Sequence, residues 1–131
     1  MQDARLLTRL FAIDAVTCLA CAALLGFGGG VLSPLFGMPV ELLHGAGLVL
    51  VPCAALFAWL ASRQRPPVAL AVVAILGNIL WVVESAVTAA MLSGTITPIG
   101  TAFVAAQALA VLLLAALEAY ALRRMLVARP A

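Results

Sequence analysis

The sequence predicts an all-α fold: an integral membrane four-helix bundle with both termini on the cytoplasmic side. Three observations carry this expectation. Of 131 residues, 66% are hydrophobic and only 9% are charged, against about 45–50% and about 25% in a soluble domain. Four apolar runs each reach the roughly 20 residues that a helix needs to cross the hydrocarbon core. All seven basic residues are arginines, and every one falls on the same side of a four-span arrangement. With so little polar sequence to cover a surface, lipid has to replace water as the solvent.

The first run covers about Leu6–Phe27, opened by Arg5 and Arg9. Its basic start resembles a signal peptide, but the run is too long for an h-region and Asp14 interrupts it. Gly28-Gly29-Gly30, Ser33-Pro34 and Gly37 read as the break that follows. The second run, about Pro39–Ser62, contains Pro52, which removes a backbone donor and predicts a kink. Arg63-Gln64-Arg65-Pro66-Pro67 separates it from the third run, about Val68–Met91; prolines suit a helix start. Ser93-Gly94-Thr95 and Pro98 turn the chain into the fourth run, about Ile99–Leu122, which Arg123, Arg124 and Arg129 follow. These runs make one transmembrane domain over residues 1–131. Cytoplasmic loops retain arginine, so Arg5, Arg9, Arg63, Arg65, Arg123 and Arg124 set the topology as N-in/C-in. Arginine without lysine, in an alanine-rich chain, suggests a GC-rich bacterial source and hence the inner (plasma) membrane. The second half laid over the first matches Arg5 to Arg65, Leu32-Ser33 to Leu92-Ser93 and Arg63 to Arg123, the pattern a duplicated hairpin would leave.

Ionisable groups within hydrocarbon are expensive, and they face the bundle interior or a partner. Ordered by depth, Glu41 and His44 fall near the outer end of the second span, with Glu84 and Gln107 deeper in the outer half. Asp14 and Asn78 fall near the middle. Asn78, Trp81, Ser85 and Thr88 recur at helical spacing, with Glu84 beside them. The functional reading is a polar pocket of His44, Glu84 and Gln107, with Asp14 and Asn78 beneath and Trp81 at its wall. It would bind a small solute or cation, or relay protons. The structural reading is that the same groups hold helices together through interhelical hydrogen bonds of about 0.6–2 kcal/mol. Glu84 is the first choice for function, because no arginine shares its side of the membrane. Glu118, near Arg123 and Arg124, is expected to snorkel and pair with them.

Other chemistries find little support. Cys18-Leu19-Ala20-Cys21 has redox spacing, but it lies inside a span, where thiolates are disfavoured, and no loop cysteine pair accompanies it. His44 with Glu41 and Glu84 is not a metal motif. No catalytic residue, metal site or cofactor is assigned. Nucleic acid is excluded as a partner by the absence of a basic stripe with interleaved aromatics. Ala102, Ala106 and Ala110, and likewise Ala86 with Ala90, form small-xxx-small lines suited to close helix packing, within one chain or between copies.

Gly77-Asn78-Ile79-Leu80-Trp81, Glu84-Ser85, Thr97-Pro98-Ile99-Gly100 and Phe103-Val104-x-x-Gln107-Ala108 together resemble small uncharacterised four-span bacterial membrane proteins. The resemblance covers the second half of the chain and implies the span count alone. Three functions follow as expectations. The first is binding or movement of a small solute, ion or lipid through a polar intramembrane pocket. The second is an accessory or structural subunit of a larger membrane complex, and the third a membrane redox enzyme. The partners expected are the lipid bilayer and either a second copy or a larger membrane protein.

Overall fold

The computed structural model describes residues 2–128, so Arg129 lies outside the described residues. Four helices account for nearly all of them: α1 (Gln2–Phe36), α2 (Val40–Ala61), α3 (Val68–Met91) and α4 (Pro98–Val127). Each is long and apolar enough to cross a membrane. The chain runs up and down, so α1 lies antiparallel to α2 and to α4, and α3 antiparallel to α4. The α1–α2 seam is the most extensive, α3–α4 and α1–α4 follow, and α2 barely touches α3. Six arginines (Arg5, Arg9, Arg63, Arg65, Arg123, Arg124) therefore gather at one end, here the arginine end. The opposite end carries the α1–α2 and α3–α4 turns.

Bounds for α2 and α3 follow the apolar runs closely. The first helix does not. It continues through Gly28-Gly29-Gly30 and Pro34 to Phe36, well past the expected stop after Phe27. Each interior glycine disfavours a helix by about 1 kcal/mol relative to alanine, but packing against α2 outweighs that here. Gly47 of α2 sits so close to the Ala22 carbonyl and the Gly26 amide that a side chain would have to displace them. Pro34 falls in the final turn, where only the bond to the Gly30 carbonyl is missing. The stop signal that acts is Gly37, at φ 66°. Its left-handed conformation lets the Met38 amide donate back to the Ser33 carbonyl at 3.2 Å, the long bond of a Schellman turn.

The same turn is locked to the start of α4. Thr97 caps α4 by accepting from the Gly100 amide at 3.0 Å, and its hydroxyl donates to the Leu35 carbonyl at 2.6 Å. The Thr97 amide donates to the Phe36 carbonyl at 2.9 Å. Phe36 stacks on Phe103 with centroids 4.7 Å apart. A Cβ at Gly37 would strike the Thr95 carbonyl, and one at Gly100 the Phe36 carbonyl, so both positions admit only hydrogen. At the arginine end, Arg124 pairs with Asp3 at 3.2 Å and Arg65 donates to the Met125 carbonyl at 3.4 Å. The bundle is thus fastened between first and last helices at both ends.

Candidate functional site

Helix α4 packs against both α1 and α3, and three polar side chains, one from each of these helices, meet at one point in the core between them. Asp14 lies on the buried stripe of α1 that runs Leu7, Phe11, Asp14, Cys18, Ala22 and Leu25, one residue per helical turn. Asn78 closes the buried stripe of α3 after Ala71, Ala74 and Ile75. Glu118 stands on α4 between Ala115 and the buried group Ala121, Leu122 and Met125. The alanines beside these polar groups let α4 approach both α1 and α3 closely, and the Asp14 and Asn78 side chains span the remaining gap between α1 and α3.

All three are sealed. Asp14 is 1% exposed, Asn78 5% and Glu118 0%. The Asn78 Nδ2 donates to Asp14 Oδ2 at 2.6 Å and reaches both Glu118 carboxyl oxygens at 3.5 Å. Cys18 turns its thiol to the other Asp14 oxygen, at 3.7 Å. No arginine or histidine takes part. Counting along α3, Asn78 is about 15 Å from the helix start, between the arginine end and the midpoint.

One turn further along, a second polar layer joins α3 to α4. Trp81 Nε1 donates to Gln107 Oε1 at 2.8 Å, and Gln107 Nε2 donates to Ser85 Oγ at 3.0 Å and to the Val104 carbonyl at 2.9 Å. The Ser85 hydroxyl passes its hydrogen to the Trp81 carbonyl at 2.7 Å. Every buried side-chain polar atom among the described residues has a partner.

The six residues singled out from the sequence do not form one pocket. Asp14 and Asn78 meet; Trp81 and Gln107 meet above them. His44 and Glu84 are exposed and join neither layer. The His44 ring covers Gly29 of α1, and a Cβ at Gly29 would overlap it. Glu84 lies on the half of α3 beyond Asn78, which has no fully buried residue, and it makes no hydrogen bond or ion pair among the described residues. The expected lining of His44, Glu84 and Gln107 is therefore replaced by two separate polar layers. Glu118 also departs from expectation. It does not pair with Arg123 or Arg124 but turns inward to Asn78, while Arg124 engages Asp3. The inward turn had a signal: Ala115, Glu118, Ala121, Leu122 and Met125 recur at helical spacing, and small residues among them mark a face of close approach.

The three cysteines are unpaired; Cys18 is buried, and Cys21 and Cys53 are half-buried. Among the described residues no group of three or more His, Cys, Asp or Glu side chains is arranged to hold a metal ion. Chemically, the cluster is two carboxyls, one bridging amide and one thiol in an apolar surround. Two carboxyl groups so placed can share one proton, because like charges in an apolar surround disfavour double ionisation. Comparison with family models, curated proteins and solved structures returned no match.

Proposed function

We propose that the chain is a four-span protein of the bacterial inner membrane, both termini cytoplasmic, whose Asp14–Asn78–Glu118 cluster is a proton-exchanging site that binds or moves a small cation. Gathering of six arginines at one end supports the orientation, because positively charged loops are retained on the cytoplasmic side. The single observation that carries the functional reading is the meeting of two fully buried carboxyl groups, from α1 and α4, on one amide. Two like charges side by side in a dry interior cannot both persist. A proton shared between them removes one charge, and the Asn78 amide stabilises the other. Exchange of that proton would alter the packing of α1, α3 and α4 together, which is how a sealed site can govern a helix rearrangement.

The test is proton flux in proteoliposomes carrying a trapped pH dye, with the wild type compared against Asp14→Asn and Glu118→Gln. Both substitutions keep the shape and leave hydrogen-bonding groups in place. Loss of flux in both, with retained thermal stability, supports the reading. Full flux in either contradicts it.

A second reading, an accessory subunit of a larger membrane complex, draws on Glu84. An outward carboxylate about 10 Å from the end of a spanning helix needs a partner, and another chain would supply it. Glu84→Gln separates the two readings. If it abolishes a membrane-complex phenotype while proton flux persists, the accessory role stands. If only flux changes, it does not.

A further inference from the structure

Near the arginine end, α3 and α4 leave an open groove of about 250 Å³ lined by Val72, Ile75 and Leu76 on one side and Ala119 and Leu126 on the other, with Arg123 at its lip. Every lining side chain but Arg123 is aliphatic. Three other arginines of this end are engaged. Arg124 pairs with Asp3 and donates to the Tyr120 hydroxyl at 3.1 Å. Arg65 donates to the Met125 carbonyl. Arg63 stacks on Trp59 and bonds Ser62. Arg123 alone in this group has no partner among the described residues and is exposed. The first turn of α3 also lies beside the groove, one turn before Val72, and its free amides present the positive end of a helix.

We infer that this groove holds one acyl chain of an anionic phospholipid, with the lipid phosphate seated on Arg123. Charge complementarity selects the occupant. An unpaired guanidinium above an aliphatic channel matches a phosphodiester above a hydrocarbon chain, whereas the exposed acids of a second copy, Glu41 and Glu84, lie in the halves of α2 and α3 away from the arginine end. Basic pockets between spanning helices on the cytoplasmic side recognise lipid headgroups by the same chemistry. The inference rests on the membrane setting and not on the proton site, so flux results leave it standing.

The experiment is native mass spectrometry of the full chain in a neutral detergent, titrated with phosphatidylglycerol or with phosphatidylcholine of the same chains. The wild type should retain one phosphatidylglycerol in preference to phosphatidylcholine. Arg123→Gln should lower the phosphatidylglycerol affinity about fivefold, the effect of one basic residue at a lipid surface. Ala119→Leu, which fills the groove and leaves the charge, should lower it for both lipids. Arg9→Gln, an exposed arginine away from the groove, should leave it unchanged. Glycerophosphoglycerol, the headgroup without chains, should not compete. Equal retention of the two lipids by the wild type, an equal loss in Arg9→Gln and Arg123→Gln, unchanged binding in Ala119→Leu, or competition by the free headgroup would each overturn the inference.

Discussion

Substituting Asn78 by leucine removes the one donor that bridges the two carboxyls while keeping the number and branching of side-chain atoms. The Asn78 amide makes one short bond of 2.6 Å to Asp14 and two longer ones of 3.5 Å to Glu118. Interhelical hydrogen bonds in membranes contribute about 0.6 kcal/mol on average and about 1.7 at most. Hydrogen bonds to charged groups contribute about 1.5–3 kcal/mol. Asp14 and Glu118 are both sealed, so no solvent replaces the missing donor, and the upper part of these ranges applies. On these ranges the variant should be less stable by about 2 kcal/mol. Asp14→Leu made alone and together with Asn78→Leu closes a double-mutant cycle, with an expected coupling of about 1.5 kcal/mol. Reversible unfolding in mixed micelles, followed through tryptophan fluorescence, measures each corner. Additivity within about 0.3 kcal/mol, the behaviour of independent sites, would show that the two side chains do not depend on each other. An Asn78→Leu variant as stable as the wild type would likewise deny the amide its bridging role.

Asp14→Asn keeps the side-chain shape and an oxygen that accepts from Asn78, so it should cost less than about 1 kcal/mol in the same assay, well below Asp14→Leu. Gly37→Ala combines a left-handed residue, penalised by about 1–2 kcal/mol, with a Cβ driven into the Thr95 carbonyl. Its melting temperature in detergent should fall clearly. Arg124→Gln breaks an ion pair whose arginine is 57% exposed. That loss should be small and should shrink further as salt is added. Trp81→Phe deletes the donor to Gln107 and should lower stability by about 0.6–1.7 kcal/mol, less than Gln107→Leu, which also removes the bond to Ser85.

Helix number and spacing were legible because each helix is one apolar run long enough to cross a membrane. Val68–Met91 could be bounded from the sequence for that reason. Phe36 as the end of α1 could not, because three glycines and a proline argue locally for a break, and only the close approach of α2 makes a continuous helix the better solution. Level along the bundle axis was legible for one pair, Asp14 with Asn78, and not for Glu118, which meets Asn78 although the sequence put it nearer the arginine end. Rotation was not legible. His44 and Glu84 sit at plausible depths for a common pocket, yet which face each helix turns inward depends on the neighbouring helix, and α2 scarcely meets α3. Glu118 shows the converse. Proximity to Arg123 and Arg124 along the chain suggested pairing, but its alanine-flanked face commits it to the interior.

Infrared spectroscopy of the protein in lipid at neutral pH reads the shared proton itself, through the carbonyl stretch of a protonated carboxyl group. One such band is expected. It should shift only slowly on exchange into heavy water, and both Asp14→Asn and Glu118→Gln should alter it, because the proton belongs to the pair. A spectrum with no protonated-carboxyl band, or a band indifferent to both substitutions, would rule out a proton held between Asp14 and Glu118.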